Sequence, residues 1–257
     1  MDSADNQHEF VPSPARGEYL AAMSSLREFV LGAVVFDLDG TLIDSRGDIA
    51  AAVNHALLAT GRNAIPVSMI ATWVGDGARS LLARAAKVSE ADAVIDVLLA
   101  HFVEYYAAHP IDFTKWVDGA PAILDQMAEL DLPIALCTNK DRLVTDAVLS
   151  ALGVRTRFRA TYAGGDGPEK KPAAGPLLAL AKRLDVEASN LVMVGDGPQD
   201  VESARRAGCR VVGIASGYTP RERMVAAKPD IVLDSLSELS EVLRRWRDAT
   251  ARVSALP

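Results

Sequence analysis

Asp37 and Asp39 stand at the end of an apolar run, Gly32-Ala33-Val34-Val35-Phe36, and are followed by Gly40 and Thr41. The run reads as a buried strand, so both carboxylates fall where the strand ends. Alternate residues of extended chain share a face at roughly 7 Å spacing, which aims the two side chains at one point. Two converging carboxylates are costly unless a cation or a proton lies between them. Gly and Thr next in line make a tight turn with a small hydroxyl beside it. The pattern suits a hard cation, phosphoryl chemistry, or both.

The elements that must hold this pair alternate along the chain. Pro133–Cys137, Ala160–Ala163, Leu191–Val194, Val211–Ile214 and Ile231–Leu233 read as strands. Helices are expected over Ala120–Leu130, Asp141–Leu152 closed by Gly153, Pro176–Leu184, Val201–Ala207 closed by Gly208, and Ser237–Trp246. Such alternation predicts an α/β fold, a Rossmann-like parallel sheet with helices on both faces. Right-handed crossovers then bring the strand ends to one edge, where ligands bind.

Between Asp48 and Lys115 no strand is expected. Ile49, Val53, Ala56 and Leu57 form one helical stripe. Ile70, Val74, Ala78, Leu81 and Leu82 form a second, interrupted by Gly75 and Gly77. Val94, Val97, Leu98, Phe102 and Tyr105 form a third. The chain thus divides into an N-terminal extension (1–30), an α/β core (31–46 and 117–257) and a helical cap (47–116) inserted after the first core strand. Within the extension, Leu20, Met23, Leu26 and Val30 have the spacing of a short helix, and Met23 is a candidate alternative start that the sequence does not decide.

The expected strand ends collect further polar residues: Thr138 and Asn139, then Gly195-Asp196-Gly197 with Asp200, and a loop carrying Lys170-Lys171-Pro172. Singly, each has an ordinary explanation as a cap, a turn or a solvated pair. Together, in this order, they make a site.

Asp37-Leu38-Asp39-Gly40-Thr41-Leu42-Ile43-Asp44-Ser45 resembles the first signature of the haloacid dehalogenase superfamily of phosphotransferases. Thr138 fits the second signature, Lys171-Pro172 the third, and Gly195-Asp196 with Asp200 the fourth. Val74–Leu82 and Cys137-Thr138-Asn139-Lys140 are similar to segments of bacterial phosphoglycolate phosphatases. The resemblance implies that Asp37 is the nucleophile, forming an aspartyl-phosphate, and that Asp39 is the general acid and base. It implies Mg²⁺ held by Asp37, the Asp39 carbonyl and Asp196, with Asp200 orienting the metal ligands. Thr138 and the Asn139 N–H would hold the phosphoryl oxygens, and Lys171 would neutralise their charge. A free Asp has a pKa of about 3.9, so Asp37 is expected to be ionised unaided. Gly75, Asp76, Gly77 and Arg79 are the candidates for contacting substrate from the cap, Arg79 by gripping a carboxylate. Lys140 is read as a surface lysine near the site's mouth. Two departures stand out: Gly197 replaces a common hydroxyl residue, and the third signature continues Ala-Ala-Gly-Pro after Lys171-Pro172.

The expected activity is Mg²⁺-dependent hydrolysis of a small phosphorylated metabolite, most like phosphoglycolate phosphatase. A phosphomutase passing phosphate through Asp37 is the alternative, and a non-catalytic binding protein the third. A dehalogenase is disfavoured, since Asp39 has no role in that chemistry. Net charge −7 argues against a nucleic-acid partner. No apolar run is long enough to span a bilayer and no signal peptide is read. Cys137 and Cys209, without Cys-x-x-Cys spacing, fit core packing in a reducing cytoplasm. His55, His101 and His109 read as ordinary helix residues.

Overall fold

In the computed structural model the structure describes residues 29–254, with side chains described through residue 248. The expected helix around Met23 lies outside the described residues, as does most of the 1–30 extension. Six parallel strands form one sheet in the order β5-β4-β1-β6-β7-β8. They are β1 Ala33–Phe36, β4 Ile134–Asp141, β5 Ala160–Gly164, β6 Leu191–Gly195, β7 Arg210–Ile214 and β8 Ile231–Leu233. β1 sits centrally, with Phe36 in register with Leu136 and Val194.

Both sheet faces are covered, which is why the strands are unbroken apolar runs. Val34, Phe36, Leu136 and Val194 face a core with α5 (Ala120–Glu129), α6 (Arg142–Ala151) and α10 (Leu239–Ser254). Ala33, Val35, Cys137 and Met193 face the opposite core with α7 (Gly175–Leu184), α8 (Pro198–Ala207) and Met224 of α9 (Arg221–Ala227). Cys137 and Cys209 are free and buried, as packing predicts.

A two-stranded antiparallel ribbon lies apart from the sheet. β2 (Ile43–Asp44) pairs with β3 (Lys115–Trp116), joining the chain that enters the helical segment to the chain that leaves it. Asp48 reinforces this junction, accepting from Phe113 N at 3.0 Å and Thr114 Oγ1 at 2.6 Å. Neither strand was expected, because two residues carry no period.

The helical segment itself comprises α1 Arg46–Ala59, α2 Val67–Ala71, α3 Ala78–Ala86 and α4 Val94–Ala108. Its apolar stripes join the first core through Ile49, Val53, Leu82, Leu98 and Phe102. The second expected stripe is two helices rather than one. Gly75 (φ +128°) and Gly77 (φ +90°) break it, adopting backbone conformations that side-chain-bearing residues rarely take. Val97 is exposed, so it does not belong to the buried face of α4. Among the described residues, no helix is long and apolar enough to cross a membrane.

Candidate active site

The ends of β1, β4 and β6 meet at one sheet edge, and their polar residues meet with them. Asp37 and Asp196 are buried there, and Asp200 joins them from the first turn of α8. One carboxylate oxygen from each lies within 4.8 Å of the other two. Gly197 N–H donates to Asp200 Oδ2 at 2.9 Å and fixes that carboxylate at the helix start. Thr41 Oγ1 (3.0 Å) and Tyr218 N–H (2.6 Å) both donate to Asp196. Gly40, at φ +90°, packs so closely on Asp196 that a Cβ there would overlap its carboxylate.

Lys171 is the cation among these acids. Its Nζ reaches Asp37 Oδ1 at 2.7 Å, Asp200 Oδ1 at 2.6 Å and the Cys137 carbonyl at 2.7 Å. Three partners use its three N–H donors. Lys170, the other lysine of the pair, instead donates to the Asp76 carbonyl at 2.5 Å. The Lys171–Pro172 peptide is cis.

One lysine does not balance three buried carboxylates. Burial, opposed by Lys171 and aided by Asp200 and Asp196, raises the Asp37 pKa to about 8. Burial and Asp200 raise Asp196 to about 7. Burial among these acids works against ionising Asp37, where a free Asp would ionise unaided. Three hard oxygen donors short of positive charge fit a divalent cation such as Mg²⁺.

Asp39 faces a different set of partners. Ser45 Oγ donates to its Oδ1 at 2.5 Å, and Lys140 Nζ lies 3.0 Å from the same oxygen. Lys140 also donates to the Tyr106 hydroxyl of α4 at 2.9 Å. It is buried, which corrects its reading as a surface lysine. The signal was available: Lys140 follows Thr138 by two residues in one strand, the spacing that joined Asp37 to Asp39. Tyr218 was missed for a different reason. Its hydroxyl accepts from Ser45 N–H at 2.8 Å across 173 positions of sequence, in a loop without a motif.

Thr138 is buried, and its Oγ1 accepts from Lys140 N–H at 3.1 Å. The Asn139 side chain acts as a latch. Its Nδ2 donates to the Gly75 carbonyl (3.0 Å) and the Lys171 carbonyl (2.9 Å), and its Oδ1 accepts from Lys171 N–H. The helical segment is thereby closed over the strand ends. A cavity remains, lined by Asp37, Asp39, Thr138, Asn139, Lys140 and Lys171 from the sheet side. Ile49, Val74, Gly75, Gly77, Ala78, Leu81 and Phe102 form its roof.

Of the four roof candidates, Gly75 and Gly77 line this cavity. Asp76 lies at a neighbouring polar opening, paired with Arg84 at 2.6 Å. Arg79 lines neither: it pairs with Asp96 and donates to the Glu90 carbonyl at 2.9 Å. Its partners lie on α4 and in the loop before it, and the structure does not bring Arg79 to the cavity. Arg79→Ala is accordingly expected to leave kcat/KM unchanged and to cost under about 1 kcal/mol, as exposed ion pairs do. A loss above tenfold in kcat/KM would return Arg79 to the site.

Residues 34–214 match the haloacid dehalogenase-like hydrolase family. The chain belongs to that family. It is 36% identical over 219 residues to a phosphoglycolate phosphatase of Neisseria meningitidis, covering 82% of this chain and 93% of that one. It is 35% identical over 209 residues to a phosphoglycolate phosphatase of Pectobacterium atrosepticum, covering 80% and 89%. The fold superposes on the crystal structure of a predicted phosphoglycolate phosphatase from Haemophilus somnus 129pt with a TM-score of 0.75. That pair is 25% identical, over 83% of this chain and 98% of the other. The strand-end carboxylates and the lysine lie within residues 34–214, the span that matches the family.

Proposed function

We propose that the chain is a Mg²⁺-dependent phosphomonoester hydrolase whose substrate is 2-phosphoglycolate. The observation that carries this reading is the buried cluster of Asp37, Asp196 and Asp200 around Lys171 at the sheet edge. The names of the curated relatives support the substrate.

An oxygen of Asp37 attacks phosphorus in line with the ester bond. The P–O ester bond breaks, and the leaving alkoxide takes a proton from Asp39. Water then attacks phosphorus and gives a proton to Asp39, the bond between phosphorus and the Asp37 oxygen breaks, and inorganic phosphate leaves with Asp37 restored. Thr138 Oγ1 and the Asn139 N–H hold phosphoryl oxygens, and Lys171 offsets charge on the transferring group. Asp37, Asp196 and the Asp39 carbonyl would hold Mg²⁺, with Asp200 orienting Lys171 beside them. The ion, when bound, supplies positive charge that keeps Asp37 ionised and offsets phosphoryl charge. The helical segment 47–116 serves as a cap that excludes water and shapes the pocket. We assign the protein to the cytoplasm, acting on a small phosphorylated metabolite.

Phosphate release from a panel of monoesters, with Mg²⁺ or with EDTA, tests the assignment. Hydrolysis of 2-phosphoglycolate that chelation abolishes is expected. Release from no ester would sink it. The mutase reading fares less well, because the roof offers apolar side chains rather than donors for sugar hydroxyls. Isomerised product from a bisphosphorylated sugar would revive it.

Metal and proton compete for the same carboxylates. Asp37 (about 8) and Asp196 (about 7) lie above the usual carboxylate value near 4. Between roughly pH 4 and 8 the folded metal-free protein therefore binds more protons than the unfolded chain, so its stability falls as pH rises through that window. Mg²⁺ binds the deprotonated acids and opposes that fall. The Mg²⁺-induced rise in Tm is expected to be larger at pH 8 than at pH 6. An equal or smaller rise at pH 8 contradicts this.

A further inference from the structure

Lys140 is left with one unused donor. Asp39 and the Tyr106 hydroxyl take two of its N–H groups, and the third has no partner among the described residues. Its ammonium lies 4.4 Å from the centroid of the Tyr106 ring, and its side chain is 5% exposed. Burying an ammonium with an unspent donor is costly, and nothing on the apolar roof relieves it. Lys171, the other lysine lining the cavity, has all three donors engaged.

We propose that Lys140 is the specificity-determining residue that receives a second anionic group of the substrate, a carboxylate one methylene beyond the phosphoester oxygen. This rests on the phosphatase reading. There, Asp39 protonates the ester oxygen, so a cation 3.0 Å from Asp39 Oδ1 is within reach of a group one carbon further on. Tyr106 fixes the Nζ from the helical segment, so the segment selects substrate through a core lysine rather than through a cation of its own. Arg84 and Arg223 are the competing cations. They line the adjoining polar opening, which Asp39 and Asp196 also border, but both are exposed and Asp76 already pairs with Arg84, whereas Lys140 is buried against Asp39.

The test is kcat/KM for 2-phosphoglycolate and for ethyl phosphate, which lacks the carboxylate, in the wild type and in Lys140→Met, Lys140→Gln, Tyr106→Phe and Arg223→Ala. Any effect that Lys140 exerts through Asp39 strikes both esters and cancels in their ratio. The wild type is expected to favour 2-phosphoglycolate. Lys140→Met should lower the ratio by about 30-fold, the size of one charge-assisted hydrogen bond, chiefly through KM. Lys140→Gln, which retains a donor for Tyr106, should lower it nearly as far. Tyr106→Phe should lower it by a smaller factor, and Arg223→Ala should leave it alone. Equal losses for both esters in the Lys140 variants would reduce Lys140 to a support for Asp39 and overturn the proposal. So would a ratio that follows Arg223. A wild type that hydrolyses both esters equally also overturns it, while leaving the phosphatase reading intact. Hydrolysis of neither ester overturns that reading itself.

Discussion

Asp37→Asn is expected to lose hydrolysis by about 10⁴-fold or more while the metal-free protein becomes more stable. The two effects have one origin. Asp37 is buried against Asp196 and Asp200, and Lys171 alone offsets the three. The amide has nearly the same shape and carries no charge, so the cluster loses its excess of negative charge with little change in packing. It also loses the oxygen that attacks phosphorus. The stability gain has a defined pH dependence. Below about pH 4 Asp37 is protonated in the folded and the unfolded wild type alike, and the variant differs from it little. As pH rises from there toward 8 the unfolded wild type gives up a proton that the buried carboxyl tends to keep, so the gap widens. Mg²⁺ should narrow the gap, because it compensates the wild-type carboxylate. Urea unfolding at pH 6 and pH 8, with and without Mg²⁺, reads this directly. Turnover near the wild-type rate would remove Asp37 from its proposed role. A less stable variant at pH 8 would show that the Lys171–Asp37 bond outweighs the repulsion.

The sheet was legible because its strands are buried on both faces. Val34-Val35-Phe36 and Leu191-Val192-Met193-Val194 alternate between two cores, yet both cores demand apolar residues, so each strand is one unbroken run. Asp37 and Asp196 were legible because each sits directly after such a run, where topology brings them together, and Asp200 follows in the helix that begins there. Lys171 was placed by its signature, and the structure separates it from Lys170 by burial. What escaped the sequence was the second layer of contacts around Asp39. Ser45, Tyr106, Lys140 and Tyr218 come from four separate stretches of chain, and the hydrogen bonds among them are set by how those stretches lie together at the sheet edge. No local period records that relation. The break at Gly75 and Gly77 shows the reverse. Glycines permit close approach, and the approach is there: Asn139 bonds the Gly75 carbonyl, and a Cβ at Gly75 would meet Gln199 Nε2 at 3.0 Å. The periodicity of Ile70 to Leu82 continued through them only because the helices on either side face the same core.

Lys171→Met should be the most destabilising single change at this site. The lysine is buried, and it satisfies Asp37, Asp200 and the Cys137 carbonyl together. Methionine fills much of the same volume but leaves two buried carboxylates facing each other without a counter-charge. Breaking a buried pair from one side costs about 3–5 kcal/mol. The cost is expected to be largest near pH 8 and to shrink toward pH 5.5, because protonating Asp37 relieves the repulsion. Activity should fall about 10³-fold or more, since charge on the transferring phosphoryl group also loses its partner. The double variant Lys171→Met, Asp200→Asn separates the two consequences. Neutralising Asp200 removes the stranded charge, so stability should return by about 2 kcal/mol or more. Activity should not return, because neither substituent supplies the missing cation. Recovery of turnover in the double variant would mean that Lys171 serves only to pair with Asp200. Failure of stability to recover would mean that the cost lies in packing around the lysine stem rather than in uncompensated charge.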